Sequence, residues 1–136
     1  MSRRLPATLA LCAWTLLVWT TRIGNIWGDD DLSTGEKWGR TGLAMSFTVL
    51  ALAVAFAVLR RQPWRGLAVK VLAGWTIGVW ITRSVGIATG DHDAAFVAVH
   101  LVLAVVSIAL SVLAVGEELR AARSLEPGTR EPTGAV

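Results

Sequence analysis

Four long apolar runs, at residues 5–26, 41–59, 67–87 and 94–115, constrain this chain more than any other feature. Crossing the hydrocarbon core of a bilayer takes about 20 mostly apolar residues in a helix. Each run meets that length, and four of them in 136 residues leave too little chain for a separate soluble domain. Charged side chains make up 17% of the sequence, against about 25% in soluble domains, and the mean hydropathy is +0.56. A soluble enzyme, a disordered protein and a compact DNA-binding domain are excluded. The single cysteine, Cys12, excludes a disulfide scaffold and reads as a small core residue. Arg3 and Arg4 resemble the charged start of a signal peptide. The run behind them is too long for one and no small-x-small cleavage site closes it, so a retained helix is expected.

Basic residues collect on the cytoplasmic side of membrane proteins. The side holding the N-terminus, the 60–67 loop and the C-terminal tail nets +5 and the other side −2, which together give the formal +3 of the chain. Both termini are therefore expected in the cytoplasm of a multi-pass protein of the cell membrane, and the basic pI does not imply nucleic acid. Ser33 and Glu36 form an S-x-x-E capping pattern suited to an interfacial turn before the second run. Asp91 or Asp93 is placed to cap the fourth helix. Gln62-Pro63-Trp64 breaks the chain between the second and third. Beyond Gly116 the sequence turns polar, with a short helical extension over 117–125 and a disordered tail over 126–136 expected.

The chain also repeats itself. Trp14 to Arg22 (WTLLVWTTR) returns as Trp75 to Arg83 (WTIGVWITR), and the offset of 61 residues holds without a gap from Arg4/Arg65 to Val54/Val115. The fold class expected is an all-α membrane protein with four transmembrane helices built as two parallel-repeat αα-hairpins. The first repeat covers 1–61, the second 62–116, and a cytoplasmic tail follows over 117–136. An even number of helices per unit brings both units in from the same side, so the axis relating them should lie along the membrane normal. At about 100° per residue, the positions kept in both units fall on one stripe of the first and third helices. Trp14, Thr15 and Trp19 lie on it, with Trp75, Thr76 and Trp80 as their equivalents. The stripe either packs the units together or lines a shared pocket.

Several polar groups stand out. Arg22 and Arg83 lie near the outer ends of the first and third helices, with Asp30 and Asp91 eight residues beyond. Intramembrane charges are costly and are usually paired or near water. They form either an interfacial ion pair that sets helix depth or a guanidinium pair for an anionic headgroup or substrate. Trp14 and Trp75 lie near mid-membrane, where an indole N–H needs an acceptor, and core packing or a flat ligand such as a quinone would suit them. His100 is a structural histidine, a proton-relay partner of Asp91 or Asp93, or a haem ligand. Asp29, Asp30 and Asp31 read as a solvated acidic loop. Gly74 and Gly78 form a G-x-x-x-G that lets a neighbour approach closely, either the fourth helix or a second copy. No catalytic triad, metal-ligand or phosphate-loop pattern is present, so no independent enzyme and no resident cofactor are expected, which leaves open a subunit of a larger enzyme complex.

The second unit, over 74–116, resembles a group of small actinobacterial integral membrane proteins of unknown function. The matching residues are Trp75, Trp80, Asp91, Phe96, His100, Val105, Val106 and Ser107. The resemblance implies a single two-helix unit with a Trp-rich first helix, an acidic loop and a second helix opened by Phe-x-x-x-His. The first unit has Gly35 and Gly39 where that pattern has Phe and His. The leading functional expectation is a structural or accessory protein binding lipids or partner membrane proteins. The alternatives are a small transporter or ligand-binding protein, as monomer or homo-oligomer, with an outward-facing Arg22/Arg83/Asp30/Asp91/His100 site, and a haem or quinone redox subunit.

Overall fold

The computed structural model describes residues 6–125 and folds them into α1 (Pro6–Trp27), α2 (Thr34–Leu59), α3 (Arg65–Thr89) and α4 (Ala94–Arg123). All four helices are long and apolar enough to cross a membrane. Arg3, Arg4 and the tail over 126–136 lie outside the described residues.

Each helix boundary has a local cause. Ser33 caps α2 through a full capping box, its side chain accepting from the Glu36 amide while the Glu36 carboxylate accepts from the Ser33 amide. With the box acting on the helix itself, residues 34–40 join α2 as one continuous rod in place of a separate interfacial turn. Asp93, and not Asp91, caps α4 by accepting from the Phe96 amide at 2.8 Å. At its other end α4 runs on to Arg123, burying Glu118 and Ala121, so 117–123 belong to the bundle. Helix α2 closes with a Schellman turn. The Gln62 amide donates to Ala57 and that of Arg61 to Val58, with Arg61 in the left-handed region at φ 52°.

The helices pack in cyclic order, each hairpin closed by α1 against α2 and α3 against α4, with α1 against α4 and α2 against α3 completing the ring. This is the arrangement of two packed αα-hairpins that the repeat requires. Helices α1 and α3 lie across the diagonal and meet at the centre, where Trp19 and Trp80 stand 6.3 Å apart between ring centroids. Their buried positions obey the repeat throughout. Thr8, Leu11, Cys12, Thr15, Trp19 and Ile26 on α1 become Val69, Leu72, Ala73, Thr76, Trp80 and Ile87 on α3, each 61 residues on. The shared stripe is thus packed along most of its length.

Helices α2 and α4 break this register by one residue. The buried seam of α2 is Ala44, Phe47, Ala51 and Val54, and that of α4 is Ala104, Ser107, Ser111 and Ala114, an offset of 60. The small residues of α4 let it approach α1 and α3 closely, since small side chains are what admit tight helix contact in a membrane. Phe47 lies nearly parallel to Trp19, 4.1 Å between centroids, while Ser107 takes the equivalent place on α4.

Despite the shift, the units exchange a matched pair of hydrogen bonds. Trp14 Nε1 donates to Ser107 Oγ at 3.0 Å and Trp75 Nε1 donates to Ser46 Oγ at 3.1 Å. Each bond joins one unit's first helix to the other unit's second helix.

Interhelical hydrogen bonds of this kind contribute about 0.6 kcal/mol on average in membranes. Ser107→Ala is therefore expected to destabilise the folded protein in detergent by about 1 kcal/mol. Ser46→Ala should cost at least as much, because Trp75 lies near mid-membrane and is 43% exposed, so its N–H would face hydrocarbon without an acceptor. Arg61→Gly should stabilise by roughly 0.5–1 kcal/mol, since an L-residue held left-handed is strained and glycine is not. Equilibrium unfolding of the three variants beside the parent measures both effects.

Candidate functional site

The inward seams continue toward the end of the bundle that carries the α1–α2 and α3–α4 loops, and there they turn polar. The seam of α1 runs 8-12-15-19-22, that of α3 runs 69-73-76-80-83, and those of α2 and α4 begin at 40-44-47 and 100-104-107. Alternating steps of three and four keep such positions on one helix face. Arg22, Arg40, Arg83 and His100 therefore form one layer, each five or six residues from the loop-side end of its helix. At 1.5 Å per residue the layer lies roughly 8 Å inside the bundle end.

The layer borders a cavity of about 290 Å³ lined by Trp19, Arg22, Asn25, Ile26, Asp29, Leu32, Arg40, Arg83, Phe96 and His100. Its floor is the ring of Trp19, backed by the buried rings of Phe47 and Trp80. The Arg83 guanidinium sits 5.9 Å from the Trp19 ring centroid, within cation–π range. His100 is 8% exposed, and its two ring nitrogens have defined roles. The Phe96 carbonyl 2.9 Å from Nδ1 can only accept, so Nδ1 carries the proton. The Arg22 Nη1 group 3.2 Å from Nε2 can only donate, so Nε2 accepts. This pattern is that of the Nδ1–H tautomer, in which Nε2 holds Arg22 from behind. Phe96 and His100 also pack ring against ring, 4.0 Å between centroids and tilted by 35°.

No carboxylate lies within 4.0 Å of a guanidinium nitrogen of Arg22, Arg40 or Arg83 among the described residues, where the Arg65–Glu118 pair is the sole salt bridge. The far end of the bundle is treated differently. There Glu117 accepts from the Ala7 and Thr8 amides at 3.0 and 3.1 Å, neutralising the free N–H groups that start α1. Beside it Glu118 holds Arg65 Nε at 3.0 Å, closing the start of α3.

Of the residues singled out in the sequence, Arg22, Arg83 and His100 come together in this layer. Asp30 and Asp91 do not line the cavity, and both are exposed. Its carboxylate is Asp29, one residue short of the position the repeat shares, so the Arg/Asp pairing across the repeat does not form. Asp93 is engaged as a helix cap, and His100 bonds to neither loop aspartate. Trp19 and Trp80 are buried at the axis, Thr15 and Thr76 are buried below them, and the Thr76 hydroxyl has no partner. Gly74 and Gly78 are exposed, and a methyl group at either position would meet no atom within 4 Å, so they do not seat α4. Arg40, Asn25 and Leu32 are additions from the structure, and Asp29, expected in a solvated acidic loop, lines the cavity half-buried. Arg40 is within reach of the sequence, because it stands four residues before Ala44 on the same seam once α2 begins at its Ser33 cap.

The chain matches no family model, no curated protein and no solved structure.

Three like charges in one layer repel one another. Arg40→Gln, at the most exposed of the three, should raise stability in chloride buffer by a few tenths of a kcal/mol. The gain should shrink as salt is added. Thermal unfolding at two ionic strengths checks it, and an Arg40→Gln protein that is less stable at both would show the charge to be compensated.

Proposed function

We propose that this is a small, non-catalytic accessory protein of the cell membrane that binds lipids or partner membrane proteins through its outer helical faces, with both termini cytoplasmic. The observation that carries this reading is the direction of the polar groups within the spans. The indole donors, seam serines, His100 and the arginine layer are turned inward or satisfied between helices, while the outer faces carry Val49, Leu52, Val85, Val102, Val105 and Val112, all more than half exposed. Facing hydrocarbon, such a surface has no need of water. The open notch at Gly74 and Gly78 on α3 is the place where another helix can come closest. The resemblance of residues 74–116 to small actinobacterial membrane proteins of unknown function is in keeping with this, since those units carry no known activity.

The cavity favours ligand binding as a second role. Transport finds less support, because Trp19, Trp80 and Phe47 fill the bundle axis directly beneath the arginine layer. Haem ligation finds less support, since the chain's other histidine, His92, lies in the loop just before the same helix and not on a facing one. Among the described residues no group of three or more His, Cys, Asp or Glu converges on one point.

Native mass spectrometry of gently extracted protein tests the leading reading. Reproducible lipid or protein adducts are expected, and Gly74→Leu with Gly78→Leu should remove the protein adducts while the chain stays folded. A bare chain under every mild extraction would overturn the accessory role. Orientation is read separately on a Cys12→Ala background, where Asp30→Cys should be labelled by an impermeant reagent on intact cells and Arg61→Cys should not.

A further inference from the structure

We propose that the layer of Arg22, Arg40 and Arg83 is a binding site for a phosphoryl oxyanion. This goes beyond the accessory reading and does not depend on it.

Charge balance is the first argument. Three guanidinium groups and one carboxylate, that of Asp29, line a cavity of about 290 Å³. The lining itself therefore carries a formal excess of two positive charges, with Glu36 one turn from Arg40 lying outside it. A charge within a membrane span is expensive unless it is paired or wetted. This same chain pairs Arg65 with Glu118 at the opposite end of the bundle. The arginine layer has no such arrangement, and a dianion supplies what is missing.

The second argument is the disposition of donors. The three arginines come from three different helices and line the same cavity. Arg40 and Arg83 make no side-chain hydrogen bond among the described residues, and Arg22 makes one, to His100. That bond leaves the other N–H groups of Arg22 available while limiting its freedom to swing away. A guanidinium presents five donors in a planar fork that suits oxyanions. A carboxylate offers two oxygens to three such forks. A phosphoryl group offers three or four, each able to accept more than one bond, and its second ionisation provides the second charge.

Size and floor complete the case. The cavity lies at the lower end of the range for small-ligand sites, about 300–1,000 Å³. It is large enough for a phosphoryl group with a small substituent or bound water. Trp19, Ile26, Leu32 and Phe96 add apolar wall beside the arginines, and the cavity is open to solvent, so a ligand can enter it. The phosphoryl group can belong to free phosphate or to a lipid headgroup, since both present the same oxygens.

The experiment uses the full-length protein in neutral detergent. One arm follows thermal unfolding with inorganic phosphate against chloride at matched ionic strength. The other counts adducts in native mass spectrometry with phosphatidic acid against phosphatidylcholine. Saturable stabilisation by phosphate identifies a free anion, and selective retention of phosphatidic acid identifies a headgroup; either result supports the site. Arg83→Gln and Arg40→Gln should each weaken the effective probe roughly tenfold, as the loss of one charge-assisted contact implies. Arg60→Gln, exposed at the opposite end, should leave it unchanged. Arg40 is exposed and outside the packed core, so its variant keeps the test decisive even if Arg83→Gln fails to fold. No saturable effect of either probe, or equal binding by the Arg40→Gln protein and the parent, would overturn the proposal.

Discussion

The contact of Trp19 with Trp80 at the centre of the bundle governs the rest of the architecture. Two indoles meeting 6.3 Å apart across the diagonal set the separation of α1 and α3. At that level the seams of α2 and α4 supply only the small Ala44 and Ala104, and Phe47 stacks on Trp19 from one turn below. One layer further toward the loops no side chain of comparable bulk crosses the axis, and the seam positions are arginine and histidine. The aromatic pair thus separates a closely packed interior from an electropositive chamber, whose floor is the ring of Trp19.

The internal duplication is kept where it builds the interface and lost where it builds the chamber. Helices α1 and α3 bury the same six positions, and the Trp–Ser bonds cross between units in matched fashion. The second helices differ by one residue in the face they present. That single step, about 100° of helical rotation, places Phe47 against Trp19 on one side and Ser107 on the other. It also places Arg40 opposite His100 and not opposite its repeat equivalent, Leu101. The identity of the layer therefore depends on a shift in register as well as on substitution.

Much of this is legible in the sequence, and the parts that are not share a reason. The four spans, the duplication, the caps at Ser33 and Asp93, and the break around Pro63 follow from local patterns that a single helix carries within itself. The importance of Arg22, Arg83 and His100 is visible because charge inside an apolar run is conspicuous. The repeat suggests pairing arginine with Asp30 and Asp91, yet those side chains sit past the helix ends, where seam periodicity no longer dictates direction. Arg40 escapes notice because the unbroken apolar run of α2 starts only at residue 41. A helix begins where its amides are capped, which here is seven residues earlier. The Trp14–Ser107 and Trp75–Ser46 bonds join residues that the repeat marks as identical, but only the packing of one unit on the other reveals which serine serves which indole.

The composition of the polar layer carries a further consequence. An assembly of two identical hairpins must place every residue an even number of times around its axis. Three arginines and one histidine cannot be produced that way. With both hairpins on one chain, one corner of the ring is free to exchange a guanidinium for an imidazole while the other three stay as they are. Parity alone therefore ties this chamber to a covalently joined pair of units, and no symmetric dimer of either hairpin would reproduce it.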